Sequence, residues 1–189
     1  KLIENWPKWS GKWVNIFGPS GCGKTHLSNI LKKKINLIEI IDAKNINEKK
    51  ISKFEKLNCL IIENYNYNID ETFLYSALNQ LKQLGSYVVI NSKTPIKDYK
   101  YNLKDLQSRA NSFVNLGIEL PTDDLLRVII SKSFSDKQIE ITPKISEYII
   151  KNIERSYEKV FKFIKEIDDL SLSSGKSINI NLIKKVLTN

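Results

Sequence analysis

The run Gly18-Pro-Ser-Gly-Cys-Gly-Lys24-Thr25 satisfies the pattern G-x-x-x-x-G-K-[ST] in full, and it constrains this chain more than any other feature. Gly18, Gly21 and Gly23 permit a tight loop whose amides turn inward, with Pro19, Ser20 and Cys22 filling the positions between. A helix beginning at the lysine adds its own unpaired N–H groups, so such a loop is built to surround phosphate oxygens. Lys24 supplies a cation for terminal phosphates, and the Thr25 hydroxyl supplies a ligand for magnesium. The context is the required one. Val14-Asn-Ile-Phe17 is a short apolar run leading into the loop, and between Thr25 and Lys34 the apolar Leu27, Ile30 and Leu31 stand at helical spacing. His26 is the only histidine and falls in the first turn of that helix. It reads as a packing or hydrogen-bonding residue, and one histidine assembles neither a metal cluster nor a Ser/His/Asp triad.

Further apolar runs follow at Leu37–Ile41, Cys59–Ile62 and Tyr87–Ile90, each of strand length. The stretch from Lys44 to Lys56 is polar, and Glu71 to Leu84 places Phe73, Leu74, Ala77, Leu78 and Leu81 at helical spacing before the stop at Gly85. Strands alternating with helices over residues 13–120 imply a doubly wound parallel sheet with helices on both faces, an α/β fold. Functional groups are expected at the carboxyl ends of its strands. From Pro121 the pattern changes to helical stripes alone: Leu125 to Ile130, Ile145 to Ile153, Tyr157 to Leu172, and Asn181 to Leu187. Residues 1–120 are therefore expected to form the nucleotide-binding domain, and 121–189 a small helical domain.

A phosphate loop of this kind works with a carboxylate at the end of a neighbouring strand, often followed by a second that activates water. Glu63, after Cys59-Leu-Ile-Ile62, is the candidate for the first, orienting magnesium or its water shell. Asn64 stands where the second would be, and an amide cannot accept a proton as a general base, so slow hydrolysis is expected. Asn91 and Ser92 end the Tyr87 strand, where a polar group can sense a terminal phosphate.

With 189 residues and 41% hydrophobic side chains, the chain can bury a real core. No apolar run reaches the roughly 20 residues of a membrane helix, and Lys1 to Ser10 holds no apolar signal core, so a cytoplasmic protein without a membrane partner is expected. Cys22 and Cys59 are expected to be free thiols. The absence of Met, even at position 1, implies that the natural N-terminus precedes Lys1. The net charge of +9 is carried almost wholly by lysine, arginine occurring only at 109, 127 and 155. It reads first as a solvated surface of biased composition, with an acidic or nucleic-acid partner as the alternative.

The run from Gly18 to Leu27 resembles the phosphate loop of the bacterial replication initiator DnaA and its relatives. Trp6-Pro-Lys-Trp9, Leu60-Ile-Ile-Glu63, Ser92-Lys-Thr-Pro95, Asp105-Leu-Gln-Ser-Arg109, Asp123-Asp-Leu-Leu-Arg127 and Ile153-Glu-Arg-Ser156 together resemble the DnaA-related regulators of the Hda type, in their alphaproteobacterial form. The resemblance implies a P-loop NTPase core of the AAA+ class followed by a small all-helical lid. It implies ADP or ATP with Mg2+ as cofactors, and promotion of the hydrolysis of ATP held by DnaA. It also implies docking on the replicative sliding clamp through a peptide that would precede Lys1, indirect engagement of DNA, and possible self-association. With no helix-turn-helix segment before Asn189, a regulator is expected rather than an initiator. By the same resemblance Arg109 would be an arginine finger acting across a subunit interface. Two positions depart from the initiator pattern: Lys159, beside Arg155, stands where a lid arginine would sense nucleotide, and Lys93 replaces an acidic sensor. Lysine cannot reproduce the bidentate fork of arginine. The residues leave open two other readings, an autonomous ATPase such as a helicase loader and a nucleotide-stabilised scaffold without catalysis.

Overall fold

The computed structural model describes residues 8, 9, 11–66, 68–137, 139, 141–174 and 178–187; Trp6 and Pro7 of the Trp6–Trp9 motif lie outside them. Contacts divide the chain into two units, one of residues 1–19 and 23–118 and one of residues 20–22 and 119–189.

The first unit is built on β1 (Trp13–Phe17), β2 (Ile38–Asp42), β3 (Cys59–Tyr65), β4 (Tyr87–Ser92) and β5 (Val114–Gly117). They form one parallel sheet in the order β2-β3-β4-β1-β5. Its helices are α1 (Lys24–Lys34), the single turn α2 (Glu48–Ile51), α3 (Glu71–Gln83) and α4 (Lys104–Asn111). Period-two alternation divides β3 and β4 between two cores. Leu60, Ile62, Val88 and Ile90 face one, with Leu74, Leu78 and Leu81 of α3. Cys59, Ile61 and Val89 face the other, with Leu31 and Ile35 from α1. Each fully buried Leu or Ile contributes about 2 kcal/mol, so a sheet covered on both sides needs the continuous apolar runs found here.

Several elements differ from the sequence expectation, among them α4, which was not anticipated, and β3, which runs on past Ile62 to Tyr65. β2 runs one residue later than Leu37–Ile41, because Leu37 takes a left-handed φ of 56° and only its carbonyl joins the sheet region, accepting from the Asn58 amide at 2.8 Å. The polar stretch 44–56 is not a plain connection but holds α2, flanked by 3-10 turns at Ala43–Asn45 and Phe54–Lys56, with Phe54 fully buried. β5 was not anticipated, since Val-Asn-Leu-Gly is short and only half-buried.

The second unit holds α5 (Asp123–Ser135), α6 (Pro143–Asn152), α7 (Tyr157–Ser174) and α8 (Ile180–Leu187), with no strand among its described residues. Thr122 and Thr142 cap α5 and α6 by accepting from the Leu125 and Ile145 amides, and Pro143 pre-sets the first turn of α6. Leu126, Ile130, Phe134, Ile149, Val160, Ile167 and Ile183 form its core. No helix among the described residues is long and apolar enough to cross a membrane.

Candidate functional site

β1 delivers the chain into the loop 18–25 at the carboxyl end of the sheet, where the Gly18 amide donates to the Ser92 carbonyl of β4 at 3.2 Å. Gly23 occupies the N-cap of α1 with φ 98°, in the left-handed region where glycine carries no steric penalty. Its identity has a second effect. α3, α5 and α6 are capped by the side chains of Asp70, Thr122 and Thr142, whereas Gly23 has no side chain to offer and no acid stands in the first turn of α1. The positive end of the α1 dipole is thus left for an external anion. Gly21, with φ 75°, is demanded by packing within the second unit, to which Ser20–Cys22 belong. A Cβ at this position would lie 2.5 Å from the Ser156 Cβ, and the Gly21 carbonyl accepts from the Tyr157 amide at 2.9 Å.

Lys24 folds back across the loop, its Nζ donating to the carbonyls of Gly18 at 2.7 Å and Pro19 at 2.8 Å. Beneath it lies a connected polar network. Thr25 Oγ1 donates to Glu63 Oε2 at 3.1 Å, and Asn91 Nδ2 donates to Glu63 Oε1 at 2.9 Å and to Ser28 Oγ at 2.8 Å. Glu63 is only 8% exposed, with Asn91 at 1% and Ser28 at 0%. A buried carboxylate would ordinarily demand a cation. Here a hydroxyl and an amide take its oxygens, and Asn91 Oδ1 is left buried without a protein partner. Two hard oxygen ligands beside a phosphate loop fit a magnesium ion, which takes few protein ligands and fills its octahedron with water and phosphate oxygens. The described residues hold no group of three His, Cys, Asp or Glu that would form a dedicated protein metal cage.

The structure therefore gathers Lys24, Thr25, Glu63 and Asn91 at one strand end, and adds Ser28, which sequence reasoning did not single out. The signal for Ser28 was its helical spacing from Lys24, whose carbonyl its hydroxyl reaches at 3.3 Å. Asn15 was also missed. Fully buried in β1, it donates to the Ile90 carbonyl and Ser92 Oγ, both at 2.9 Å, and accepts from the Ile96 amide at 2.9 Å, tying β1 to the segment after β4. A polar residue inside an otherwise apolar strand was the available clue.

Asn64 sits just past Glu63 at a register shift in β3, exposed and with φ 57°. Its amide donates to Asp42 Oδ2 of β2 at 2.8 Å. That bond outweighs the opposing effect of burial and, with smaller help from the Lys44 amide and ammonium, holds the Asp42 carboxyl below the usual carboxylate range. Asn64 thus serves a carboxylate on the neighbouring strand, and no base occupies its position. His26 is exposed in the first turn of α1. Cys59 is buried in β3, and desolvation pushes its thiol up to about 12, so it is an inert packing residue.

Arg109 lies in the last turn of α4. Its guanidinium donates to Asn79 Oδ1 of α3 at 2.9 Å and stands 6.0 Å from the Trp13 ring centroid. Trp13 opens β1, while the phosphate loop follows its last residue, Phe17. Four rises of about 3.3 Å separate Trp13 from Phe17 by roughly 13 Å, beyond the reach of an arginine side chain. Within this unit Arg109 is therefore at the amino end of the sheet and cannot serve the unit's own loop. Lys159 and Arg155 belong to the second unit, where they face Glu154 at 3.8 Å and Asp123 at 3.0 Å.

No protein-family profile matches the chain. It is 22% identical to the chromosomal replication initiator protein DnaA of Buchnera aphidicola subsp. Cinara cedri over 195 aligned positions, covering 91% of this chain and 44% of that protein. The chain thus spans less than half the length of that curated relative. Among solved structures, domain III of Thermotoga maritima DnaA superposes with a TM-score of 0.77 at 18% identity, covering 99% of this chain and 87% of that one. AMPPCP-bound DnaA from Aquifex aeolicus gives a TM-score of 0.72 at 18% identity over 88% of this chain and 57% of that one. The Thermotoga maritima Holliday-junction branch-migration motor RuvB gives 0.69 at 19% over 93% and 60%. The five-stranded parallel α/β fold is shared with domain III of DnaA and with RuvB, and DnaA resembles the chain in sequence as well.

Proposed function

We propose that this chain is an adenine-nucleotide-binding AAA+ module of the DnaA-related regulator type, acting in replication initiation by promoting the hydrolysis of ATP held by a DnaA-type partner. The observation that carries the reading is the separation, within the first unit, of Lys24, Thr25 and Glu63, with an amide at the general-base position, from an arginine at the other end of the sheet. On this reading the loop holds ADP or ATP: α1 and the loop amides receive the phosphates, Lys24 turns from the Gly18 and Pro19 carbonyls to the terminal phosphate, and Asn91 senses that phosphate. Thr25 and Glu63 would hold magnesium, which when bound supplies positive charge to the phosphate oxygens. His26 lines the start of α1, the second unit acts as the helical lid, and Lys159 is its weakened sensor. Asn64 accepts no proton, so the chain's own turnover is slow. Arg109 is offered to a partner's nucleotide, where a guanidinium stabilises charge developing during phosphoryl transfer.

The test is turnover of initiator-bound ATP in the presence of clamp-loaded DNA, comparing no addition, the full chain and its Arg109→Ala variant. Stimulation by the full chain that the variant lacks supports the reading. No stimulation overturns it in favour of a second reading, a nucleotide-stabilised scaffold, which the spent Asn64 amide also favours.

A further inference from the structure

A cavity of about 480 Å3 opens at the amino end of the sheet, lined by Lys12, Trp13, Lys82, Ser86, Ser108 and Arg109 among others, and no carboxylate contributes to it. Its walls are the residues that enter β1 and β4 and the last turns of α3 and α4, all within the first unit. The three cations are not equivalent. Lys12 Nζ donates to the Gly85 carbonyl at 2.7 Å, a neutral acceptor that tethers the ammonium just past α3 without cancelling its charge. Arg109 is held by a neutral acceptor, Asn79, which fixes the guanidinium without cancelling its charge. Lys82, exposed in the last turn of α3 and one helical turn on from Asn79, has no ion pair among the described residues. Arg127 and Arg155 supply the contrast, since both are paired with carboxylates of the second unit at 2.9 and 3.0 Å.

We infer that this cavity is a cationic receptor for a polyphosphate, with Lys82 as the untethered cation beside Arg109 and with Asn79 and Trp13 as positioning residues. Three uncancelled cations, of which Lys82 is untethered, and the Ser108 hydroxyl around one cavity match a chain of phosphate oxygens, which a point-charge ammonium and a planar guanidinium bind in complementary ways. The source inferred, a nucleotide held by another P-loop module, rests on the reading of Arg109 given above. The receptor itself does not.

Two arms separate the sources. In the first, inorganic tripolyphosphate is titrated into Lys24→Ala protein, whose own loop is disabled, with NMR shifts of the Arg109 Nε and Lys82 amide signals as readout. Saturable shifts are expected, weakened about tenfold by Lys82→Gln, as for loss of one charge-assisted contact, and restored by Lys82→Arg. In the second, single-turnover hydrolysis of partner-bound ATP is compared for the same Lys82 variants and Arg109→Ala. Lys82→Gln is expected to slow the step about tenfold at saturating protein, with Lys82→Arg recovering most of it. Shifts in the first arm with an unaffected partner reaction assign the cavity to free polyphosphate and count against the finger alone. Absence of shifts together with wild-type hydrolysis by Lys82→Gln overturns the receptor. A loss that Lys82→Arg does not rescue also overturns it, because the charge is then not what matters.

Discussion

At the carboxyl end of the sheet Glu63 is sealed in, its two oxygens taken by Thr25 and Asn91, whereas at the amino end Arg109 borders an open cavity and holds only the neutral Asn79. Among the described residues the hydrogen-bond partners that hold each of these charged groups in place are neutral. The two charges serve different purposes. A carboxylate dressed by a hydroxyl and an amide offers hard oxygens to an incoming cation, while a guanidinium steadied by an amide oxygen and an indole face stays available to an incoming anion. The second unit lacks this device, for Arg127 and Arg155 are neutralised where they stand.

The sharpest break of that comparison is Arg109→Ala. It should lower stimulation of a partner's ATP hydrolysis by about a thousandfold, as fingers do, while nucleotide affinity of the chain itself, read by titration with a fluorescent ADP analogue, stays within about twofold. A parallel fall in the chain's own affinity would mean that the two ends are not independent. Lys24→Ala is the reciprocal change and should weaken nucleotide binding about a hundredfold, measured by the same titration, with the circular dichroism spectrum unchanged. Asn15→Ala tests the frame between the two ends. It strands the Ile96 amide, while the Ser92 hydroxyl keeps its bond to the Thr94 carbonyl at 2.6 Å, and should cost about 2 kcal/mol in urea unfolding. Asn64→Glu restores a carboxylate at the base position and should raise the chain's own ATP turnover about tenfold, measured at saturating ATP; an unchanged rate would mean that something other than the missing base limits hydrolysis.

Much of the carboxyl end was legible in the residues because its chemistry is local: the loop is contiguous, and Glu63 and Asn91 close runs of apolar residues whose length marks them as strands. The amino end was far less legible. Arg109 entered only through a resemblance, since nothing in Gln-Ser-Arg-Ala announces that Asn79, thirty residues earlier, accepts its bond. Lys82 looked like one more solvated lysine among many. β5 escaped because four half-buried residues carry too little pattern, and Asp42 because its partner is fixed by the pairing of β2 with β3, which no local periodicity encodes.

The smallest expected effect lies between Asp42 and Asn64, the pair that joins β2 to β3 at the carboxyl end. The Asp42 carboxyl is held low chiefly by the Asn64 amide, then by the Lys44 amide and ammonium. A group whose folded pKa is depressed stabilises the fold above its unfolded value, and that stabilisation is lost as pH falls through the acid range toward the folded value. Solvent screening keeps it small, since the carboxyl is reached by water. Urea midpoints at pH 7 and pH 3 should therefore differ slightly more in the wild type than in Asn64→Leu, which lacks the donor. Equal differences in the two proteins would show that Asn64 does not hold the charge on Asp42, and the amide would then be free to turn toward the phosphate loop, erasing the distinction between an occupied and a vacant base position.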